Sequence, residues 1–321
     1  MTSVSAQNGQ SIQDLAIDLR CPVGGGKLQY DDSDRFWSET GEGKRIDYPV
    51  VGGQPVLVDF DNSILDRDVF MALQGTSLIG ERENKRSIIK KVLLGTNDVA
   101  SSNAKTLLEE VQRLDPKPVI LIVGGGTVYE GAQDLYDAEG IQIVSFDIYA
   151  SENTDFVADA HRIPLKDGAV HAVWIQAVLE HVLTPSEVVD EIWRVLVSGG
   201  IVYAETPFLQ PVHETAYDFT RFTESGHRWL FRRFELIDSG VVKGPGAVLF
   251  QVLRYAFGSA VGNRRVGSKL AIPFFWLRFI DQMANRAHAS DCASGVYFLG
   301  RRSVATLQPR DMKSFFRGVQ R

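Results

Sequence analysis

The most informative pattern of apolar and polar positions lies over residues 119–147. It opens on an unbroken apolar run, Val119-Ile120-Leu121-Ile122-Val123, followed by Gly124, Gly125 and Gly126. A helix is predicted from there to about Glu139, ended by Gly140. A second apolar strand over 141–146 then delivers Asp147 at its C-terminal end. A continuous apolar run marks a strand covered on both faces, as in a parallel sheet. Further strands are predicted over 156–158, 169–176, 201–206, 234–242 and 296–301. Between the strands at 169–176 and 201–206, a helix is predicted over 185–196. Thr184-Pro185-Ser186-Glu187 forms its capping box, Val188, Ile192, Val195 and Leu196 share one side, and Ser198-Gly199-Gly200 ends it. Strand, glycine turn, helix and strand in alternation predict an α/β fold with a doubly wound sheet.

Upstream, the pairs Gly24-Gly25 and Gly52-Gly53 sit between short β-prone runs and predict a small β-rich segment over 1–60. Residues 61–116 place aliphatics at helical spacing and predict a helical linker or cap. Ile88, Ile89, Val92 and Leu93 suit a helix through 85–94. Ala104, Leu107, Leu108, Val111 and Leu114 suit a second one, stopped by Pro116 and Pro118. The main domain is expected over 117–305, with an aromatic and basic helical insert at about 244–290 and a tail over 306–321.

Bulk properties narrow the function. A net charge of −6 over 321 residues argues against a protein that grips nucleic acid through a general basic surface, so no nucleic acid is expected as partner. Two cysteines, Cys21 and Cys292, provide no disulfide framework and fit a reducing cytosol. The polar N-terminus lacks the apolar core of a signal peptide, and no apolar stretch reaches about 18 residues. A cytoplasmic location is the expectation.

Ligands of open α/β sheets bind beyond the carboxyl ends of the strands. The glycine loop, Asp147, Asp159 and Gln176 all fall there. A dinucleotide fingerprint needs a third glycine where this chain has Tyr129, and there is no Gly-Lys-Ser/Thr, which excludes a P-loop. An NAD-dependent oxidoreductase is disfavoured accordingly.

Downstream of Asp147 stand Asp159-Ala160-His161-Arg162-Ile163-Pro164, then Asp167, then His171-Ala172-Val173 and Leu179-Glu180-His181. With the glycine loop, this series over 119–208 resembles the class I S-adenosylmethionine-dependent methyltransferases of the small-molecule branch. The resemblance implies a seven-stranded, mostly parallel Rossmann-like sheet and S-adenosylmethionine as cofactor. It implies that Gly124, Gly125 and Gly126 pass the methionine part and that Asp147 takes the ribose hydroxyls. Asp159 and the Ala160 N–H would meet the adenine, and Gln176 would lie near the sulfonium. Glu180 and His181 are expected to be structural. Two departures stand out: the first strand lacks the family's acidic residue near Ile122, and Val128 replaces a further glycine. The segment around Cys21 resembles the zinc-ribbon-like domain that accompanies some methyltransferases, but Gly24 stands where the second cysteine belongs. One thiolate cannot make a tetrahedral zinc site, so no metal is predicted.

Residues 207–223 leave the ligand-binding edge carrying His213, Glu214, Tyr217, Asp218 and Arg221 among aromatics. His213 is the candidate catalytic base, and Tyr217, Asp218 and Arg221 are candidate substrate contacts. The insert places Arg264, Arg265, Lys269 and Arg278 among Phe274, Phe275, Trp276 and Phe279. Burial against the domain, cover for the pocket, a homodimer contact and peripheral membrane contact through 264–280 all fit such a segment. The expected function is methyl transfer from S-adenosylmethionine to an O or N of a small molecule, with a sugar-containing or lipid-linked acceptor suggested by the insert. The alternative is a non-catalytic scaffold or binding protein on the same fold.

Overall fold

The computed structural model describes residues 17–31, 35–73, 75–76, 97–129 and 131–319. The chain first forms a three-stranded antiparallel sheet of β1 (Gln29–Tyr30), β2 (Phe36–Glu39) and β3 (Arg45–Tyr48). A hairpin follows, β4 (Val50–Val51) and β5 (Gln54–Leu57). Its two turn residues, Gly52 and Gly53, both have positive φ, which only glycine adopts without strain and which matches the twist of a tight hairpin. Helix α1 (Arg67–Ala72) is capped by the Asp66 side chain.

The expected small β-rich segment is therefore present, but half of it leaves to join the main sheet. β5 pairs in parallel with β8 (Phe156–Ala158), Val56 opposite Val157 and Leu57 opposite Ala158. Gln54 fixes this junction through hydrogen bonds with Ser151 and Thr154. The sheet thus has nine strands, the seven expected ones plus β4 and β5, in the order β11-β12-β10-β9-β6-β7-β8-β5-β4. The remaining members are β6 (Val119–Val123), β7 (Gln142–Asp147), β9 (Val170–Gln176), β10 (Leu196–Pro207), β11 (Phe234–Lys243) and β12 (Gly295–Arg302). Neighbours from β10 to β5 run parallel; β12 is antiparallel to both β10 and β11.

All five residues of β6 are buried, as its sequence predicts. Leu121 and Val123 enter one core and Ile120 and Ile122 the other. Each such side chain contributes roughly 1.5–3 kcal/mol by leaving water. Helix α2 (Asp98–Leu114) covers the second face with Ala100, Ala104, Leu107 and Val111; of the stripe read from the sequence, Ala104, Leu107 and Val111 are buried, Leu108 packs against them and Leu114 is exposed. The helix expected at 85–94 lies outside the described residues.

Three local expectations differ from the fold. The helix after the glycine loop is only α3 (Ala132–Tyr136). Gly131 has φ +91° and packs so tightly on α2 that a Cβ there would lie 2.7 Å from that of Ala100. Helix α4 (Pro185–Val195) begins at its proline, but the Thr184 side chain makes no cap bond. Its end is at Val195, and Ser198-Gly199-Gly200 belongs to the irregular first part of β10, where the register against β9 shifts.

Helix α5 (Glu224–Leu230) precedes β11. The insert between β11 and β12 is helical, with α6 (Pro245–Val261), α7 (Arg264–Leu270), a 3-10 segment at Ile272–Phe279 and a short helix at Arg286–Asp291. Asp281 accepts from the backbone N–H groups of Gly244, Gly246 and Ala247 and so caps α6. Among the described residues, no helix is long and apolar enough to cross a membrane.

Candidate active site

From β6 the chain builds β7 and β8 to one side, then returns to build β9 and β10 on the other. Such a switch point opens a crevice at the carboxyl ends of the strands. A cavity lies there, lined by Gly124, Asp147, Tyr149, Asp159, Ala160, Ala177, His181, Glu214 and Tyr217, among others.

The glycine loop is held by the strand beside it. The amides of Gly124 and Gly125 both donate to the Phe146 carbonyl. Asp147 accepts from the Gly126 N–H at 2.8 Å and the Ile148 N–H at 2.7 Å. The lack of side chains is enforced: a Cβ on Gly125 would fall 1.8 Å from Ser145 Oγ, and one on Gly126 would fall 2.4 Å from the Tyr149 ring. Gly125 and Gly126 are thus required by packing, and Gly124 faces the cavity.

Asp159 ends β8 and caps the 3-10 turn Ala160–Arg162 through the His161 N–H. Its carboxylate also meets His161 Nδ1 at 2.6 Å and accepts from Ser63 Oγ at 2.5 Å. Burial pushes the Asp159 carboxyl up, but these hydrogen bonds outweigh it and hold it below the usual range. The same Asp159 contact raises the His161 imidazole against an opposing effect of burial.

Gln176 lies elsewhere. Its amide donates to Glu205 at 3.1 Å and accepts from Trp174 Nε1, and it lines a second cavity together with Asn97, Glu180, Glu205, Gln210, His213, Lys243 and Gln251. Tyr129 and Ala177 appear in the walls of both cavities. Ala177 has φ +56°, a left-handed conformation that costs a residue with a Cβ roughly 1 kcal/mol or more and concentrates at functional sites.

Sequence reasoning missed Glu205. It sits inside β10, where nothing separates it from an ordinary outward-facing charge, yet it is half-buried and accepts from Asn97, Gln176 and Tyr203. Burial raises its carboxyl. Glu180, expected to be structural, lines the second cavity. It belongs to the 3-10 turn Leu179–His181, its side chain is 1% exposed, and burial pushes its carboxyl up to about 8.

The predicted substrate loop packs onto that turn. The Phe219 and Thr220 amides donate to the Glu180 carbonyl, and His181 Nδ1 meets the Tyr217 carbonyl at 2.7 Å. This brings His213 to the second cavity, with its Nε2 4.0 Å from Glu180 Oε1. Tyr217 lines the first cavity. Asp218 and Arg221 line neither; they pair side-on, and Arg221 also donates to the Gln210 and Thr220 carbonyls. Burial pushes the Asp218 carboxyl up, but Arg221 and the His213 N–H pull it down to about 2. The pair anchors the loop. The insert closes the second cavity with Gln251, and Tyr255 donates to the Val212 carbonyl.

At the N-terminus, Cys21 pairs with the Tyr48 hydroxyl at 2.8 Å and accepts from the Gly24 N–H, so the backbone of Gly24 reaches the sulfur where the resemblance expects a second cysteine.

Residues 124–204 match the family model of a methyltransferase domain. Among solved structures, the chain is similar to a putative sarcosine dimethylglycine methyltransferase from Galdieria sulphuraria, at 13% identity over 74% of this chain and 97% of that one, with a TM-score of 0.44. It is similar to geranyl diphosphate C-methyltransferase from Streptomyces coelicolor A3(2), at 14% identity over 70% and 83%, with a TM-score of 0.42. It is also similar to the 1,6-didemethyltoxoflavin-N1-methyltransferase of Burkholderia thailandensis, at 12% identity over 86% and 99%, again with a TM-score of 0.42. No curated protein matches the chain. The matched segment runs from the glycine loop into β10 and holds Asp147, Asp159 and Gln176. Residues 124–204 are thus similar to a methyltransferase domain, about a quarter of the chain.

Proposed function

We propose that this protein transfers the methyl group of S-adenosylmethionine to an oxygen or nitrogen of a small molecule. The observation that carries this reading is the shared wall of the two cavities at Tyr129 and Ala177. A donor in the first cavity stands next to an acceptor in the second. Asp147 takes the ribose hydroxyls, Asp159 and the Ala160 N–H meet the adenine, and the backbone at Gly124 passes the methionine. Gln176 marks the acceptor side.

In the transfer, the acceptor lone pair forms a bond to the methyl carbon while the carbon–sulfur bond breaks and leaves its electrons on sulfur. His213 handles the proton released by the acceptor. The sulfonium is already activated, so holding the reacting atoms in line supplies most of what the protein must add. The polar lining of the second cavity supports a polar acceptor. The apolar outer face of the insert supports a lipid-linked or sugar-containing one approached from a membrane surface. A second copy of the chain is the competing occupant of that face, and a cytoplasmic enzyme peripheral to the membrane is the corresponding location.

Calorimetry with S-adenosylmethionine tests the reading. Wild type should bind, and Asp147→Ala should bind roughly 30-fold more weakly, the equivalent of about 2 kcal/mol for charged hydrogen bonds. Ligand should raise the melting temperature of wild type. No binding and no shift would leave the non-catalytic scaffold in its place.

A further inference from the structure

Glu180, His181 and His213 come together although 31 residues lie between the last two. One ligand-type atom from each lies within 4.8 Å of the others. His181 Nε2 is 3.6 Å from Glu180 Oε1 and His213 Nε2 is 4.0 Å from it. The imidazole rings meet edge to face with centroids 5.1 Å apart.

The hydrogen bonds behind the rings determine what points inward. His181 Nδ1 faces the Tyr217 carbonyl at 2.7 Å, and His213 Nδ1 faces the Pro211 carbonyl at 3.3 Å. A carbonyl only accepts, so in the neutral ring Nδ1 carries the hydrogen and Nε2 the lone pair. Asp218 stands 3.5 Å from His213 Nδ1 and favours the same tautomer. The two Nε2 atoms and the Glu180 carboxyl therefore face one another. Glu180 Oε2 is buried and has no hydrogen-bond partner among the described residues. A buried oxygen without a partner is costly; with its carboxyl raised to about 8, Glu180 relieves that cost by holding a proton when no cation is present, and a cation bound there would take the place of that proton.

We propose that Glu180, His181 and His213 form a binding site for a borderline divalent cation, of the Mn2+ or Zn2+ kind, in the wall between the two cavities. Two imidazoles and one carboxylate favour such ions over Ca2+. Bonds of about 2.0–2.2 Å place neighbouring ligand atoms roughly 3.0–3.5 Å apart, so the observed spacings close by small side-chain rotations. Imidazole ligands anchored through Nδ1 to a carbonyl are the usual outer support of such a site. Three protein ligands leave coordination positions open toward the second cavity, where an acceptor hydroxyl would bind and become more acidic.

This inference rests on the methyltransferase reading and deepens it toward a hydroxyl acceptor. With the cation bound, His213 serves as its ligand and the cation, in place of a free imidazole, promotes loss of the proton. The two cysteines carry no trace of such a site, because its ligands come from a turn and a distant loop.

The test uses the full chain stripped with a chelator and titrated with Mn2+ alone, following free Mn2+ by electron paramagnetic resonance. One equivalent should bind. Glu180→Gln and His213→Ala should each weaken binding at least tenfold. His213 lies on a surface loop, so His213→Ala should keep its melting temperature and its thermal shift with S-adenosylmethionine, which separates a lost ligand from a lost fold. Absence of Mn2+ binding, or binding that survives both substitutions, overturns the site. If the cofactor shift persists in that case, the methyltransferase reading stands; if it is absent too, both fall.

Discussion

Nδ1 of His181 lies 2.7 Å from the carbonyl oxygen of Tyr217, 36 residues further along the chain. Together with the Phe219 and Thr220 amides on the Glu180 carbonyl, this contact fastens the loop after β10 to the turn after β9. Strand ends define the site only coarsely; this junction defines which side chains look into it.

Arg221 should behave as a structural residue. Arg221→Met would leave Asp218, whose side chain is 1% exposed, without its cation. Stability should fall by about 2–4 kcal/mol. Chemical denaturation of the two proteins measures this. A variant as stable as wild type but with a raised KM would instead return Arg221 to the substrate.

The glycine loop offers a double-mutant cycle. Gly125→Ala would drive a Cβ to 1.8 Å from Ser145 Oγ, while Cβ of Ser145 lies at 3.2 Å. Ser145 Oγ is buried without a hydrogen-bond partner among the described residues. Gly125→Ala alone should cost about 1–3 kcal/mol, Ser145→Ala should be near neutral, and the pair should regain most of the loss. Strict additivity would disprove the proposed clash.

His227 should make the fold sensitive to acid. It is buried beside Phe222 and Phe231, both ring nitrogens lack partners among the described residues, and burial lowers its pKa to about 3. The unfolded chain takes up this proton near pH 6.5, whereas the folded chain resists to about 3. Stability is therefore intact above pH 6.5 and is lost as the pH falls through that window, by about 2 kcal/mol at pH 5. His227→Phe should flatten melting temperature against pH between 7 and 5. An unchanged slope would assign the acid sensitivity to other groups.

The insert should bind anionic vesicles. Trp276 is 53% exposed and Met283 89%, with Phe274 and Phe279 also exposed close by in sequence, and Arg264, Arg265 and Lys269 precede them. Vesicles of anionic phospholipid should shift Trp276 fluorescence to the blue, and Trp276→Ser with Phe279→Ser should remove sedimentation with the vesicles. A concentration-dependent dimer that hides Trp276 would point to a second copy instead.

The parallel core was legible because burial on both faces writes an unmistakable apolar run, as in β6, and because residues at strand ends share one edge. Asp147, Asp159 and Ala160 converge for that reason. The short α3 was not legible, since Gly131 is set by the closeness of Ala100 on another helix. Glu205 was missed, and the cavity that Gln176 lines was not legible, for a related reason: a polar residue near a strand end carries no mark of the cavity it will face. The pairing of β5 with β8 was hidden as well, because nothing in a short strand names a partner 101 residues away.

That last pairing sets an order of assembly. During synthesis, residues 50–57 leave the ribosome long before their neighbour at 156–158 exists, and distant contacts form slowly in any case. The seam between β5 and β8 therefore closes after that between β6 and β7, and pulse-labelled hydrogen exchange should find the amides on β5 protected after those of β6.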